Sequence, residues 1–188
     1  MTPPTLIVID VQRAFEDPAW GERNNPGAET RIAQAIEGWR RRGAPLIHVR
    51  HRSAEPGGTF VPGTDAFEFK REAQPLDGEP VITKDVNSAF IGTDLEERLR
   101  AADVTSVAIV GLTTDHCCST TARMAANLGF ETWMLGDAMA TFDRRAPDGE
   151  LIGAEQMHRT ELASLHDEFA EVISTDAALA RLAGATAP

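Results

Sequence analysis

Three side chains with complementary chemistry stand at the ends of β-branched runs in this 188-residue sequence. Asp10 follows Leu6-Ile7-Val8-Ile9, and Lys84 follows Val81-Ile82-Thr83. Cys117 lies just past Val107-Ala108-Ile109-Val110-Gly111. A thiol can attack a carbonyl, a carboxylate can take and return its proton, and an ammonium can steady both anions. Cys117 also opens the helical run Cys118 to Leu128, where backbone N–H groups lack intrahelical partners and can face an oxyanion. The positive helix end and a nearby ammonium are expected to lower its pKa. Each residue alone has a plainer reading: Asp10 as a cap, Cys117 as core filler, Lys84 as a solvated loop residue. Coincidence at three strand ends is what favours chemistry.

Those ends matter because ligands of open parallel sheets bind beyond the carboxyl ends of the strands. Six apolar runs read as strands: the three above, Leu46 to Val49, Glu131 to Leu135 and Glu171 to Ile173. Their hydrophobicity is continuous rather than alternating, the mark of strands covered on both faces. Helical periodicity spans residues 28–42, 93–102, 118–128, 149–167 and 176–183, with Gly43 and Gly129 at expected C-termini. Strand–helix alternation predicts an α/β fold, a three-layer α/β/α sandwich on a six-stranded, mostly parallel, Rossmann-like sheet. The length suits a single domain over 1–188. In the doubly wound order the third strand lies two places from the first, about 10 Å away, a gap for a long lysine stem.

Residues 51–79 break the rhythm with seven Gly and Pro residues, yet Phe60, Phe67 and Phe69 argue for packing. The stretch reads either as a self-packed surface loop or as a lid over a pocket. Eighteen basic residues against 29 acidic ones give a net charge of −11, which speaks against a nucleic-acid partner. No apolar run is long enough for a membrane span, and Met1 to Val11 has no basic n-region, so neither a membrane partner nor a signal peptide is expected. The only cysteines, Cys117 and Cys118, are adjacent and cannot staple a secreted scaffold, which points to a reducing cytoplasm.

The ordered set Leu6-Ile-Val-Ile-Asp-Val-Gln12, Lys84-Asp-Val-Asn-Ser-Ala-Phe90, Gly111-Leu-Thr-Thr-Asp-His-Cys117, Thr121-Ala-Arg123 and Asp137-Ala138 resembles the isochorismatase-like cysteine hydrolases. That superfamily includes isochorismatases, nicotinamidases, N-carbamoylsarcosine amidases, ureido amidohydrolases and streptothricin hydrolase. The resemblance implies a triad of Asp10, Lys84 and Cys117. It also implies a cis peptide between Leu112 and Thr113 and an oxyanion hole built from the Thr113 and Cys117 N–H groups. It further implies a homodimer or homotetramer. Cys118 stands where valine is common and reads as a packed apolar substitute.

Nicotinamidases of this superfamily hold a metal through Asp-x-His and a second histidine after the second strand. Here the segment reads His48-Val-Arg-His-Arg52. Residues 48 and 51 fall on opposite strand faces, so no metal and no cofactor is expected, with His48 in the core and His51 facing the loop. The retained thiol favours C–N hydrolysis of a small amide or ureide through a Cys117 thioester, with Asp10 as acid and base and Lys84 as electrostatic partner. A vinyl-ether hydrolase of isochorismatase type and a non-catalytic small-ligand-binding protein are the alternatives. Substrate-binding candidates are Phe15, Trp20, Phe60 and Phe90 for an apolar wall, and Gln12, Asn87 and His116 for polar contacts. Arg13, Arg50 and Arg52 are candidates for pairing a substrate carboxylate.

Overall fold

The computed structural model describes residues 3–53 and 57–184. Its strands are β1 (Thr5–Ile9), β2 (Leu46–His51), β3 (Val81–Lys84), β4 (Ser106–Leu112), β5 (Glu131–Ala140), β6 (Arg144–Arg145), β7 (Leu151–Ile152) and β8 (Glu171–Ile173). Six of them form one all-parallel sheet in the order β3-β2-β1-β4-β5-β8. The helices are α1 (Ala28–Arg42), α2 (Leu95–Ala101), α3 (Ser119–Asn127), α4 (Ala154–Leu165) and α5 (Thr175–Gly184).

Apolar residues alternate between two cores. Ile7, Ile9, Ile47, Val49, Val107 and Ile109 pack with Leu95 and Leu99 of α2, Ala122 of α3 and Leu165 of α4. Leu6, Val8, Leu46, Ala108 and Val110 pack with Ile32, Ile36 and Trp39 of α1 and Leu182 of α5. The continuous hydrophobic runs are therefore buried on both faces, and each such side chain contributes about 1.5–3 kcal/mol of transfer free energy. Strand order reverses between β1 and β4, so the topological switch point lies where Asp10 and Cys117 leave the sheet. Lys84 arrives from β3, two strands away from β1 as expected.

One close approach sets the spacing at that point. Gly111 has φ +131°, and a Cβ there would fall 2.0 Å from the carbonyl oxygen of Ile9. Only a residue without a side chain lets β4 lie this close to the last residue of β1.

Several boundaries differ from the sequence expectation: β2 runs on to His51, β5 runs on to Ala140, and α3 and α4 begin later than expected. The helix expected over 149–167 covers only 154–165, because Ala146-Pro-Asp-Gly149 makes a turn that pairs β6 antiparallel with β7. Gly149 takes φ +90° there, so the Pro-Asp-Gly turn chemistry prevails over helical periodicity. The helix expected from Cys118 begins at Ser119, after a single π-helical turn over Thr114–Cys118. The long segment after β2, of which residues 54–56 lie outside those described, is strapped down rather than free. Lys70 N–H donates to the Val11 carbonyl and Arg13 N–H to that of Glu68, both at 2.9 Å. Phe60, Phe67 and Phe69 are all buried.

Candidate active site

The three strand ends converge. Lys84 Nζ lies 2.7 Å from Asp10 Oδ2 and donates to Cys117 Sγ at 3.2 Å, to the Val86 carbonyl at 3.2 Å and to His51 Nδ1 at 3.1 Å. Both members of the ion pair are sequestered, with Asp10 fully buried and Lys84 1% exposed. Asp10 takes φ +50°, a left-handed conformation that aspartate tolerates better than most residues and that turns the chain out of β1. Neither of its carboxylate oxygens has a well-aligned hydrogen bond among the described residues, so the lysine contact is Coulombic and lone pairs stay open to a proton. The Leu112–Thr113 peptide is cis.

Burial governs the protonation states. It raises the Asp10 carboxyl above its ordinary value despite Lys84. Burial works against the charge of Lys84 too, but Asp10 and Cys117 keep its pKa above the usual value. The Cys117 thiol is pushed up, first by burial and then by the Asp10 carboxylate, and Lys84 offsets only part of this. The expected depression of the Cys117 pKa is thus overturned. A thiol withdrawn from water beside a buried carboxylate keeps its proton at rest.

A cavity of about 150 Å³ opens over these groups, lined by Asp10, Phe15, Trp20, His51, Phe60, Asn87, Thr113, His116 and Cys117. Five of the seven substrate-binding candidates line it: Phe15, Trp20, Phe60, Asn87 and His116. Phe15, Trp20 and Phe60 form one wall, with ring centroids 5.1–6.3 Å apart. Two candidates do not belong. Phe90 stacks on Phe130 at 6.1 Å inside the α2–α3 core, because it lies past the strand end on the loop that turns back toward α2. Gln12 is a buried strut. Its Nε2 donates to the carbonyls of His51 and Phe67, and its Oε1 accepts from the His51 N–H at 2.7 Å. The candidate arginines are engaged elsewhere: Arg13 with Asp65, Arg50 with Thr83 and the Phe67 ring, and Arg52 in a bidentate pair with Asp85 at 2.8 Å. Cys118 is fully buried in the core.

The sequence reading missed His51. Its strand continues two residues beyond the apolar run Leu46–Val49, and His51 pairs in register with Lys84, so both side chains reach the same face. His51 faces the site, not the loop. The available signal was parity: residue 51 shares the face of Ile47 and Val49. A second omission is the polar face of α4. His158 Nδ1 meets Thr114 Oγ1 at 2.8 Å, and Glu161 accepts from Ser119 Oγ and from Arg123 at 2.9 Å. Together they brace both ends of the π-helical turn that carries Cys117. Asp115, within that turn, is held by Thr141 and by Arg144 at 2.8 Å.

Asp10, His51 and Cys117 offer donor atoms within 4.8 Å of one another, a grouping with metal-ligand chemistry. The residues do not fit a metal, because the Lys84 ammonium already touches all three. A dication there would meet a like charge at contact distance.

Comparison with known proteins identifies the family and the fold. The Isochorismatase domain model matches residues 4–177. The chain belongs to the isochorismatase family. It is 48% identical over 171 residues to the uncharacterized isochorismatase family protein YrdC of Bacillus subtilis, covering 91% of each chain. The crystal structure of an isochorismatase-family protein from Chromobacterium violaceum superposes with a TM-score of 0.96 at 42% identity, over 98% of this chain and 96% of that one. Nicotinamidase 3 of Arabidopsis thaliana is 30% identical over 184 residues, with 91% of this chain and 84% of the relative covered. This family member is a hydrolase on the isochorismatase-like fold, and among its described residues no helix is long and apolar enough to cross a membrane.

Proposed function

We propose that this isochorismatase-family hydrolase cleaves the C–N bond of a small amide or ureide through a Cys117 thioester. One observation carries the reading: a single ammonium, Lys84 Nζ, touches the carboxylate and the thiol at once on the floor of a cavity. At rest the proton stays on Cys117; because burial raises the Asp10 carboxyl as well, Asp10 can take that proton as the thiol attacks, and the fixed charge of Lys84 steadies the anion on either one. Asp10 takes the thiol proton as sulfur bonds to the substrate carbonyl carbon. The Thr113 and Cys117 N–H groups receive the oxyanion. Collapse of the tetrahedral adduct breaks the C–N bond, and Asp10 returns the proton to the departing nitrogen. Asp10 then draws a proton from water as the water oxygen bonds to the thioester carbon; collapse of that adduct breaks the C–S bond, and Asp10 passes the proton to the departing sulfur, which frees the acid and restores the thiol. Nicotinamidase 3, an amidase by name, supports the C–N choice.

Isochorismate carries two carboxylates, and the arginines that would meet them are spent on Asp65, Thr83 and Asp85, which weighs against the vinyl-ether reading. An idle binding module would gain nothing from a buried, poorly aligned ion pair. The test is ammonia release from a panel of small amides and ureides by wild type, Cys117→Ala and Asp10→Asn. Release by wild type alone is expected, with an acyl mass increment on Cys117 caught by acid quench of wild type during turnover and absent from Asp10→Asn. Undiminished turnover in Cys117→Ala overturns the thioester.

A further inference from the structure

Lys84 Nζ stands 3.1 Å from His51 Nδ1. An ammonium has donors and no lone pair, so the ring nitrogen it meets is an acceptor. Burial and then the Lys84 charge oppose protonation of this ring, against weaker pulls from Asp10 and Asp85. A neutral imidazole with a bare Nδ1 carries its hydrogen on Nε2. The ring is held firmly: Gln12 bonds both the N–H and the carbonyl of residue 51, and Phe60 packs edge-on at 5.1 Å. His51 lines the cavity beside Asp10, Thr113 and Cys117, and among the described residues its only ring hydrogen bond is the one to Lys84. The site therefore contains an oriented N–H donor with no partner.

We propose that His51 is a substrate-binding residue whose Nε2–H donates to an uncharged acceptor atom on the substrate, apart from the scissile carbonyl: an ether or carbonyl oxygen, or a ring nitrogen. The assignment rests on the amidohydrolase reading and narrows its substrate class to small neutral amides with a second acceptor. Neutrality follows from the surrounding charges. Lys84 is saturated by four partners, and Arg13, Arg50 and Arg52 are engaged away from the cavity. The Phe15, Trp20 and Phe60 wall suits the apolar remainder of such a molecule.

Two isosteric pairs test it: methoxyacetamide against butyramide, and pyridine-3-carboxamide against benzamide. Wild type is expected to favour the acceptor-bearing member of at least one pair by about tenfold in kcat/KM. His51→Phe removes that preference, and His51→Gln, which keeps a donor, retains part of it. Loss of the Lys84 contact would slow both members of a pair equally, so the ratio isolates the donor. Independently of turnover, long-range ¹⁵N–¹H spectra of Cys117→Ala are expected to show His51 as the Nε2–H tautomer. Its Nε2 resonance should shift with methoxyacetamide or pyridine-3-carboxamide and stay still with their isosteres. An Nδ1–H tautomer, an Nε2 resonance unmoved by both acceptor-bearing amides, or an unchanged preference in His51→Phe overturns the proposal. If Nε2 responds as expected while wild type releases ammonia from none of the four amides and from no member of the amide and ureide panel, the binding assignment stands and the amidohydrolase reading falls.

Discussion

The chain has two lysines, and each is buried against a carboxylate at 2.7 Å, yet the two pairs are tuned in opposite directions. Glu29 meets Lys70 and, through both oxygens, Arg23 at 2.6–2.7 Å. Burial opposes its charge, but these two cations overcome burial and draw its pKa down to about 2. Asp10 meets one cation that it shares with Cys117, His51 and the Val86 carbonyl, and burial prevails. Two full cations with aligned hydrogen bonds pin a carboxylate in its anionic form, whereas one divided cation leaves it able to accept a proton. The Glu29 pair is an anchor, and the Asp10 pair is the one suited to proton transfer.

The largest test of that contrast is activity. Cys117→Ala is expected to lower kcat/KM by about 10⁴ or more, and Lys84→Met by at least about a hundredfold, in an ammonia-release assay. Glu29→Gln and Lys70→Met should leave kcat within about twofold, and a hundredfold loss there would erase the distinction. Next is stability. Glu29→Gln strands two buried or half-buried cations and is expected to cost about 2–3 kcal/mol in urea unfolding. Because the folded Glu29 pKa lies below the ordinary 4.5, its stabilisation is full above that value and is lost as pH falls towards about 2. Glu29→Gln should therefore flatten that acid limb of the unfolding curve. Asp10 carries the reverse sign: its raised carboxyl favours folding most below the ordinary 3.8, and this contribution declines as pH rises through the raised value.

Thiol reactivity gives a smaller effect. At pH 7 iodoacetamide should label Cys117 slowly and Cys118 more slowly still. Asp10→Asn should speed the Cys117 reaction about tenfold by removing the charge that opposes the thiolate, and Lys84→Met should slow it further. Equal rates in all three proteins would detach the thiol from the pair. The smallest expected effect lies at α4. His158→Leu should lower kcat about three- to tenfold with KM little changed, because the Thr114 brace of the turn that carries Cys117 is lost, and His158→Gln should recover most of it.

The Asp10 half of this contrast was legible in the sequence, because strand ends mark chemistry in parallel sheets, whereas nothing local marked Glu29, Lys70 and Arg23 as partners. Asp10 and Lys84 each close an apolar run and Cys117 lies just past one, while Phe15 and Trp20 follow the first strand and Phe60 the second. What escaped reading depended on non-local partners. Gln12 looked like a substrate contact because nothing local shows that its amide meets the backbone of residues 51 and 67. His51 was hidden because β2 outlasts its apolar residues, and Phe90 because an aromatic after a strand end can turn toward the core as readily as toward the crevice. The thiol was misjudged for another reason. Helix ends and cations can be inferred from spacing, but burial, the largest influence on Cys117, exists only once the chain has folded.

Gly111 fixes one more property of the molecule. Any methyl placed there would wedge the last residue of β1 away from β4, one peptide before Asp10 and six residues before Cys117. A codon-randomised library at this site should return glycine alone among functional clones, and even alanine should part carboxylate from sulfur while the remainder of the sheet stays paired. Here evolutionary latitude is closed by the separation of two main chains, before any side-chain chemistry comes into play.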